Sequence, residues 1–109
     1  MKPSQQLKGA LNLISDPEHW CRETFMQVSV NGHFSYCTIG ALNVAVGKGA
    51  VSIGSLERDA ADAYLIAALP PSWRRRDIDG VFSYNDSHTH KSIVALYKRA
   101  IALAEANDD

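Results

Sequence analysis

The feature that most limits what this chain can fold into is "TFMQVSVNGHFSYC", two runs of β-branched and aromatic residues joined by Asn31-Gly32. Asn-Gly is the strongest short-range hairpin signal, because both residues accept the positive φ that a two-residue turn requires. An antiparallel hairpin is therefore expected over about residues 24–37. A two-residue turn sets Met26 opposite Cys37, which puts Met26, Val28, Val30, His33, Ser35 and Cys37 on one face. Phe25, Gln27, Ser29, Phe34 and Tyr36 take the other, and the side with Met26, Val28, Val30 and Cys37 is the better core candidate. A lone two-stranded ribbon is marginal in water, so helices must cover at least one face. A strand with an unpaired edge also leaves a route to a homodimer.

Helical periodicity fills most of the rest. Leu7, Ala10, Leu11 and Ile14 fall on one face of a helix over about Ser4 to Ser15, closed by Asp16-Pro17, and "EHWC" follows as a turn carrying an aromatic anchor. "TIGALNVA" suits a short helix from Thr38 to about Val46, with Gly47 and Gly49 available to end it. Gly40 weakens that helix by about 1 kcal/mol relative to alanine, so it is expected to admit a close approach by another backbone. Ser55 is a candidate N-cap for a helix to about Leu69, with Leu56, Ala60, Ala63, Tyr64 and Ala67 along one face, stopped by Pro70-Pro71. A further short helix fits Ile78, Val81 and Phe82. Ile93, Leu96, Tyr97, Ala100, Ile101 and Ala104 mark the clearest amphipathic helix, over about 89–106. The expected fold is α+β: a mostly helical single domain, 1–109, with four to five helices packed on one antiparallel β-hairpin.

A chain of 109 residues, 46% hydrophobic and 21% charged, can bury one core but has no room for a separate substrate domain. Its apolar stretches fall far short of a membrane span, and "MKPSQQLKGALNLISDPEHW" has no continuous apolar core of a secretion signal, so a cytoplasmic location is expected. The net charge of −1 gives no long-range attraction for nucleic acid or anionic lipid. Two cysteines do not make a disulfide framework. With Met26 opposite Cys37, Cys21 falls outside the paired region, and a Cys21 to Cys37 bridge requires the chain before Thr24 to fold back.

Two segments ahead of helices collect chemistry-bearing side chains, "YCTIGAL" and "FSYNDSHTH". At a helix N-terminus a thiolate is favoured by the macrodipole and by free backbone N–H groups, so Cys37 is a candidate nucleophile, with His90 as base and Asn85 or Asp86 as orienter. The competing reading makes Cys37 a small core residue, and Asn85, Asp86, Ser87 and Thr89 turn and cap residues, with His88 facing solvent. A zinc site on Cys37, His88 and His90 is a third reading, although no Cys-x-x-Cys or His-x-x-x-His pair supplies a local bite, so neither a metal nor any other cofactor is assigned. Outside these segments, Trp73 with Arg74, Arg75 and Arg76 forms the cluster best suited to binding a partner, since Trp and Arg dominate contact hot spots.

The order Asp16-Pro17-x-x-Trp20, Cys37-x-x-Gly40-Ala41-Leu42, Phe82-x-x-Asn85-Asp86, then Thr89-His90 before the terminal helix resembles a family of small uncharacterised bacterial and phage proteins. The resemblance covers most of the chain and implies a shared fold in which Cys37, Gly40, Asn85, Asp86, Thr89 and His90 form a joint unit. Some similar phage sequences carry an aromatic at the position of His90, which favours a structural role for that loop. The favoured function is a protein-interaction module, phage-derived and acting on a host or defence protein; the rival is a thiol-dependent hydrolase or transferase.

Overall fold

The computed structural model describes residues 1–51 and 60–109. Among these the chain runs through α1 (Pro3–Leu13), a single 3₁₀ turn (Pro17–His19), β1 (Met26–Val28), β2 (Phe34–Tyr36), α2 (Thr38–Ala45), α3 (Ala60–Ala68), α4 (Pro71–Arg74), α5 (Ile78–Ser87) and α6 (His90–Ala106). The α+β architecture is the expected one, with six α-helices among the described residues because residues 71–74 make a turn of their own ahead of α5. None of the described helices is long and apolar enough to cross a membrane.

Helix α6 organises the core. Its expected face, Ile93, Leu96, Tyr97, Ala100, Ile101 and Ala104, is the buried one, and it packs against α1 and α3 while α1 packs against α2. Leu7, Ile14, Leu42, Leu65, Leu69 and Val81 fill the space between them and are almost fully buried. Local chemistry sets the helix ends. Thr89 caps α6, its side chain accepting from Ser92 N, and Gly47 takes φ 87° just beyond the end of α2.

Gly40 behaves as its sequence context suggests. A Cβ there would stand 2.1 Å from the Phe25 carbonyl oxygen, so α2 and the start of the hairpin meet backbone to backbone. Gly80 does the same for α4 and α5, where a Cβ would stand 2.1 Å from the Trp73 carbonyl oxygen.

Two expectations about faces are corrected. The hairpin pairs Met26 with Tyr36, Gln27 with Ser35 and Val28 with Phe34, one residue away from the register of a two-residue turn. The loop is longer: Gly32 N donates to Ser29 O and Ser29 N to His33 O, with Gly32 at φ 77°, so Val30, Asn31 and Gly32 form a three-residue connection with a left-handed glycine. A one-residue slip of one strand against the other moves all of that strand's side chains to the opposite face, here those of β1, while Ser35 and Cys37 keep the inward side expected of them. Val28 and Val30 consequently stand exposed, 57% and 104%, and the inward face carries Phe25, Ser35 and Cys37. In α3 the buried residues are Ala61, Leu65 and Ala68, not Ala60, Ala63 and Ala67. That helix is apolar nearly all round, so periodicity does not choose its face; packing against α1, α5 and α6 does. The expected start of this helix, at Ser55 and Leu56, lies outside the described residues.

Candidate functional site

The chain's polar centre is Asn85, which lies in the last turn of α5 rather than in a loop and is completely buried. Its Oδ1 accepts from Thr38 Oγ1 at 2.7 Å, Trp20 Nε1 at 2.8 Å and Thr38 N at 2.9 Å. Its Nδ2 donates to Cys21 O at 3.1 Å and to Asp86 Oδ1 at 3.2 Å. Three donors on one side and two acceptors on the other fix which end of the amide is oxygen. They also exhaust it, since a carboxamide has two N–H donors and one acceptor oxygen.

The partners are themselves held. The Thr38 carbonyl accepts from the buried Tyr97 hydroxyl. Asp86 Oδ1 also accepts from Glu23 N at 2.8 Å, which secures Glu23 in the left-handed region at φ 68°. Arg22 places its guanidinium 5.0 Å from the Trp20 ring and donates through Nε to His88 O at 3.1 Å, putting a cation at the carbonyl end of α5. One side chain thus gathers the segment after the 3₁₀ turn, the start of α2 and the end of α5.

Cys37 occupies the N-cap of α2, where its Sγ accepts from Gly40 N at 3.3 Å. This is the environment expected to activate a thiol, yet the outcome is the opposite. Burial, with only 3% of the residue exposed, pushes the Cys37 thiol up from 9.0 to about 11, outweighing the stabilising N–H groups of Gly40 and Ile39. Burial raises Cys21 as well. A cavity of about 230 Å³ reaches Cys37 between Phe25, Phe82, Thr24, Glu23 and Asp86.

His90, the first residue of α6, points its Nε2 at Ile14 O, 2.6 Å away. A carbonyl can only accept, so this nitrogen donates. The imidazole also packs against Trp20, ring centres 5.8 Å apart. No hydrogen bond joins Cys37 to His90 among the described residues, and Asn85 and Asp86 direct theirs elsewhere. The two sequence segments meet through Trp20 and Asn85 rather than through a thiol and an imidazole. Thr89 serves as the cap of α6. His88 is not a solvent-facing loop residue: it stacks on Tyr84 at 3.7 Å and meets the Trp73 ring at 5.4 Å. His88 and His90 thus have separate partners, and no group of three His, Cys, Asp or Glu side chains suited to a metal occurs among the described residues.

The Trp73 to Arg76 cluster occupies α4 and its end. Trp73 is half-buried, edge-on to Tyr84 at 5.6 Å, with the Arg76 guanidinium 5.9 Å from its ring. Arg74, Arg75 and Arg76 are exposed, and none forms an ion pair among the described residues. Arg74 Nε donates to Leu69 O at 2.6 Å and Arg99 Nε to Ala68 O at 3.1 Å, which fixes both guanidiniums at the end of α3. Between them runs an open groove of about 380 Å³ floored by Ala67, Ala68, Ala102 and Leu103.

A family model for a family of unknown function, DUF6197, matches residues 1–103. The chain belongs to DUF6197. No curated protein and no solved structure matches it. The matched span of this DUF6197 protein includes both the Asn85 junction and the α4 surface. Sequence reasoning missed Thr38 and Tyr97 as members of the junction. Tyr97 carried a usable signal, because a tyrosine in the middle of an apolar helix face needs a buried acceptor for its hydroxyl.

Proposed function

We propose that this DUF6197 protein acts as a protein-interaction module, with α4 as its contact surface and an acidic partner segment as its target. The observation that carries this reading is the set Arg74, Arg75 and Arg76, exposed, consecutive and without an ion pair among the described residues, beside an anchored Trp73. Contact energy concentrates on aromatic and arginine anchors whose geometry is fixed before binding. Trp73 is held by Tyr84 and His88, and Arg74 by the Leu69 carbonyl. The groove between Arg74 and Arg99 offers an apolar floor with a cation on either side, complementary to an apolar side chain flanked by carboxylates. The thiol-enzyme reading finds less support, because the Cys37 thiol stays protonated at neutral pH and the Asn85 amide has no hydrogen-bond capacity left to orient a base.

The test is binding of a purified partner, first recovered by affinity capture, to the protein and to an Arg75→Glu, Arg76→Glu variant, which leaves the Arg74 bond to the Leu69 carbonyl in place. The variant is expected to lose affinity by at least about tenfold while its unfolding midpoint is unchanged. Equal affinity for both would remove the α4 surface from consideration.

A further inference from the structure

The chain before Thr24 does fold back. Trp20 forms a parallel bridge with Tyr36, and Cys21 N donates to Tyr36 O at 3.0 Å. In a parallel pairing, residues opposite one another share a face, and the next pair along points to the other side. Cys21 and Cys37 each follow the bridge by one residue, so the pairing sets their backbones side by side, with Cys21 Sγ donating to Thr24 O at 3.6 Å and Cys37 Sγ accepting from Gly40 N at 3.3 Å. Both thiols are free and buried. The Cys21 side chain meets that of Ser35, which shares the inward hairpin face with Cys37. The register of the hairpin puts Phe25 and Gln27, rather than Met26 and Val28, on the face that Ser35 and Cys37 share.

We propose that Cys21 and Cys37 form a site of reversible disulfide formation, reached through the cavity between Phe25, Phe82 and Asp86. The oxidant is a low-molecular-weight disulfide of the glutathione type. The Cys37 thiol gives up its proton and its sulfur attacks one glutathione sulfur, forming a mixed disulfide and releasing one glutathione thiolate. Cys21, deprotonated in turn, attacks the Cys37 sulfur and releases the second glutathione. The two protein thiols lose two electrons and two protons in all, and one oxidised glutathione becomes two reduced ones. The product ties the segment after the 3₁₀ turn to the cap of α2, two of the segments that Asn85 already holds. This site is independent of the interaction surface, since neither cysteine lies on α4.

Two cysteines in any flexible chain can be oxidised to a bridge, so the test compares folded and unfolded protein. The full chain is equilibrated with mixtures of reduced and oxidised glutathione, natively and in concentrated urea, then quenched in acid. The linked fraction is read by intact mass and by peptide mapping of Cys21 joined to Cys37. Native positioning is expected to raise the effective concentration of one thiol toward the other about tenfold or more above the unfolded value. The Cys21→Ser variant should stop at the mixed disulfide on Cys37. A native value equal to or below that in urea, or native protein carrying only separate glutathione adducts, overturns the proposal.

Discussion

The Asn85 junction and the α4 surface are both built from polar and aromatic side chains, yet they are opposites in how those side chains are used. At Asn85 every donor and acceptor is matched inside the protein, and no buried side-chain nitrogen or oxygen lacks a partner among the described residues. At α4, Arg75 and Arg76 extend into solvent with no ion pair among those residues. A saturated buried network is costly to disturb and has no capacity left for a ligand. An exposed cationic edge on a fixed aromatic costs little to change and retains its capacity for a partner. The cluster most suggestive of catalysis has spent its hydrogen-bond capacity inside the protein, while the plainest charge run keeps its charges exposed.

That contrast can be broken by experiment. The largest effect is expected from Asn85→Ala, which leaves Trp20 Nε1, Thr38 N and Cys21 O buried without their partner. Urea denaturation should show a loss of roughly 3 kcal/mol or more; a loss within experimental error would mean the junction is not structural.

Next come the two close approaches. Gly40→Ala and Gly80→Ala each drive a Cβ into a backbone carbonyl that no rotamer change can move, at a net cost of about 2 kcal/mol. They differ in what else they disturb. Gly80→Ala should shift Trp73 fluorescence and weaken partner binding, whereas Gly40→Ala should affect stability alone.

A third, smaller effect follows pH. The Cys37 thiol is raised in the folded state, so the stability tied to its neutral form is complete below pH 9 and lost as pH climbs toward 11. Relative to a Cys37→Ser variant, the protein should lose about 1 kcal/mol by pH 10. Alkylation of Cys37 by iodoacetamide should keep accelerating across the same range, with no plateau near neutrality. A plateau at pH 7 would indicate an activated thiol and restore the enzyme reading. The smallest effect belongs to the Arg75→Glu and Arg76→Glu changes, each expected to alter stability by less than about 0.5 kcal/mol.

Much of the fold was legible from the chain. The α6 face follows from apolar residues recurring at helical spacing, and Thr89 and Gly47 punctuate helices because cap chemistry acts over three or four residues. Gly40 advertised a close approach because a glycine inside an otherwise good helix has to be explained by something nearby. The hairpin was legible as a hairpin but not in its register, since Asn31-Gly32 serves both as a two-residue turn and as the end of a three-residue loop with Gly32 left-handed. The site was legible only as a set of names. Cys37, Asn85 and His90 do lie near one junction, but their roles were not written locally.

What the sequence by itself determined is therefore whatever neighbours along the chain decide: helix faces, caps, the presence of a tight reversal and the tolerance for backbone contact. Only the tertiary structure decided that Asn85 bonds to Thr38, 47 residues away, and to Cys21, 64 away. It also decided that burial overrides the helix field at Cys37. Both depend on which surfaces exclude water, and that is settled by the whole packed chain rather than by any short stretch of it.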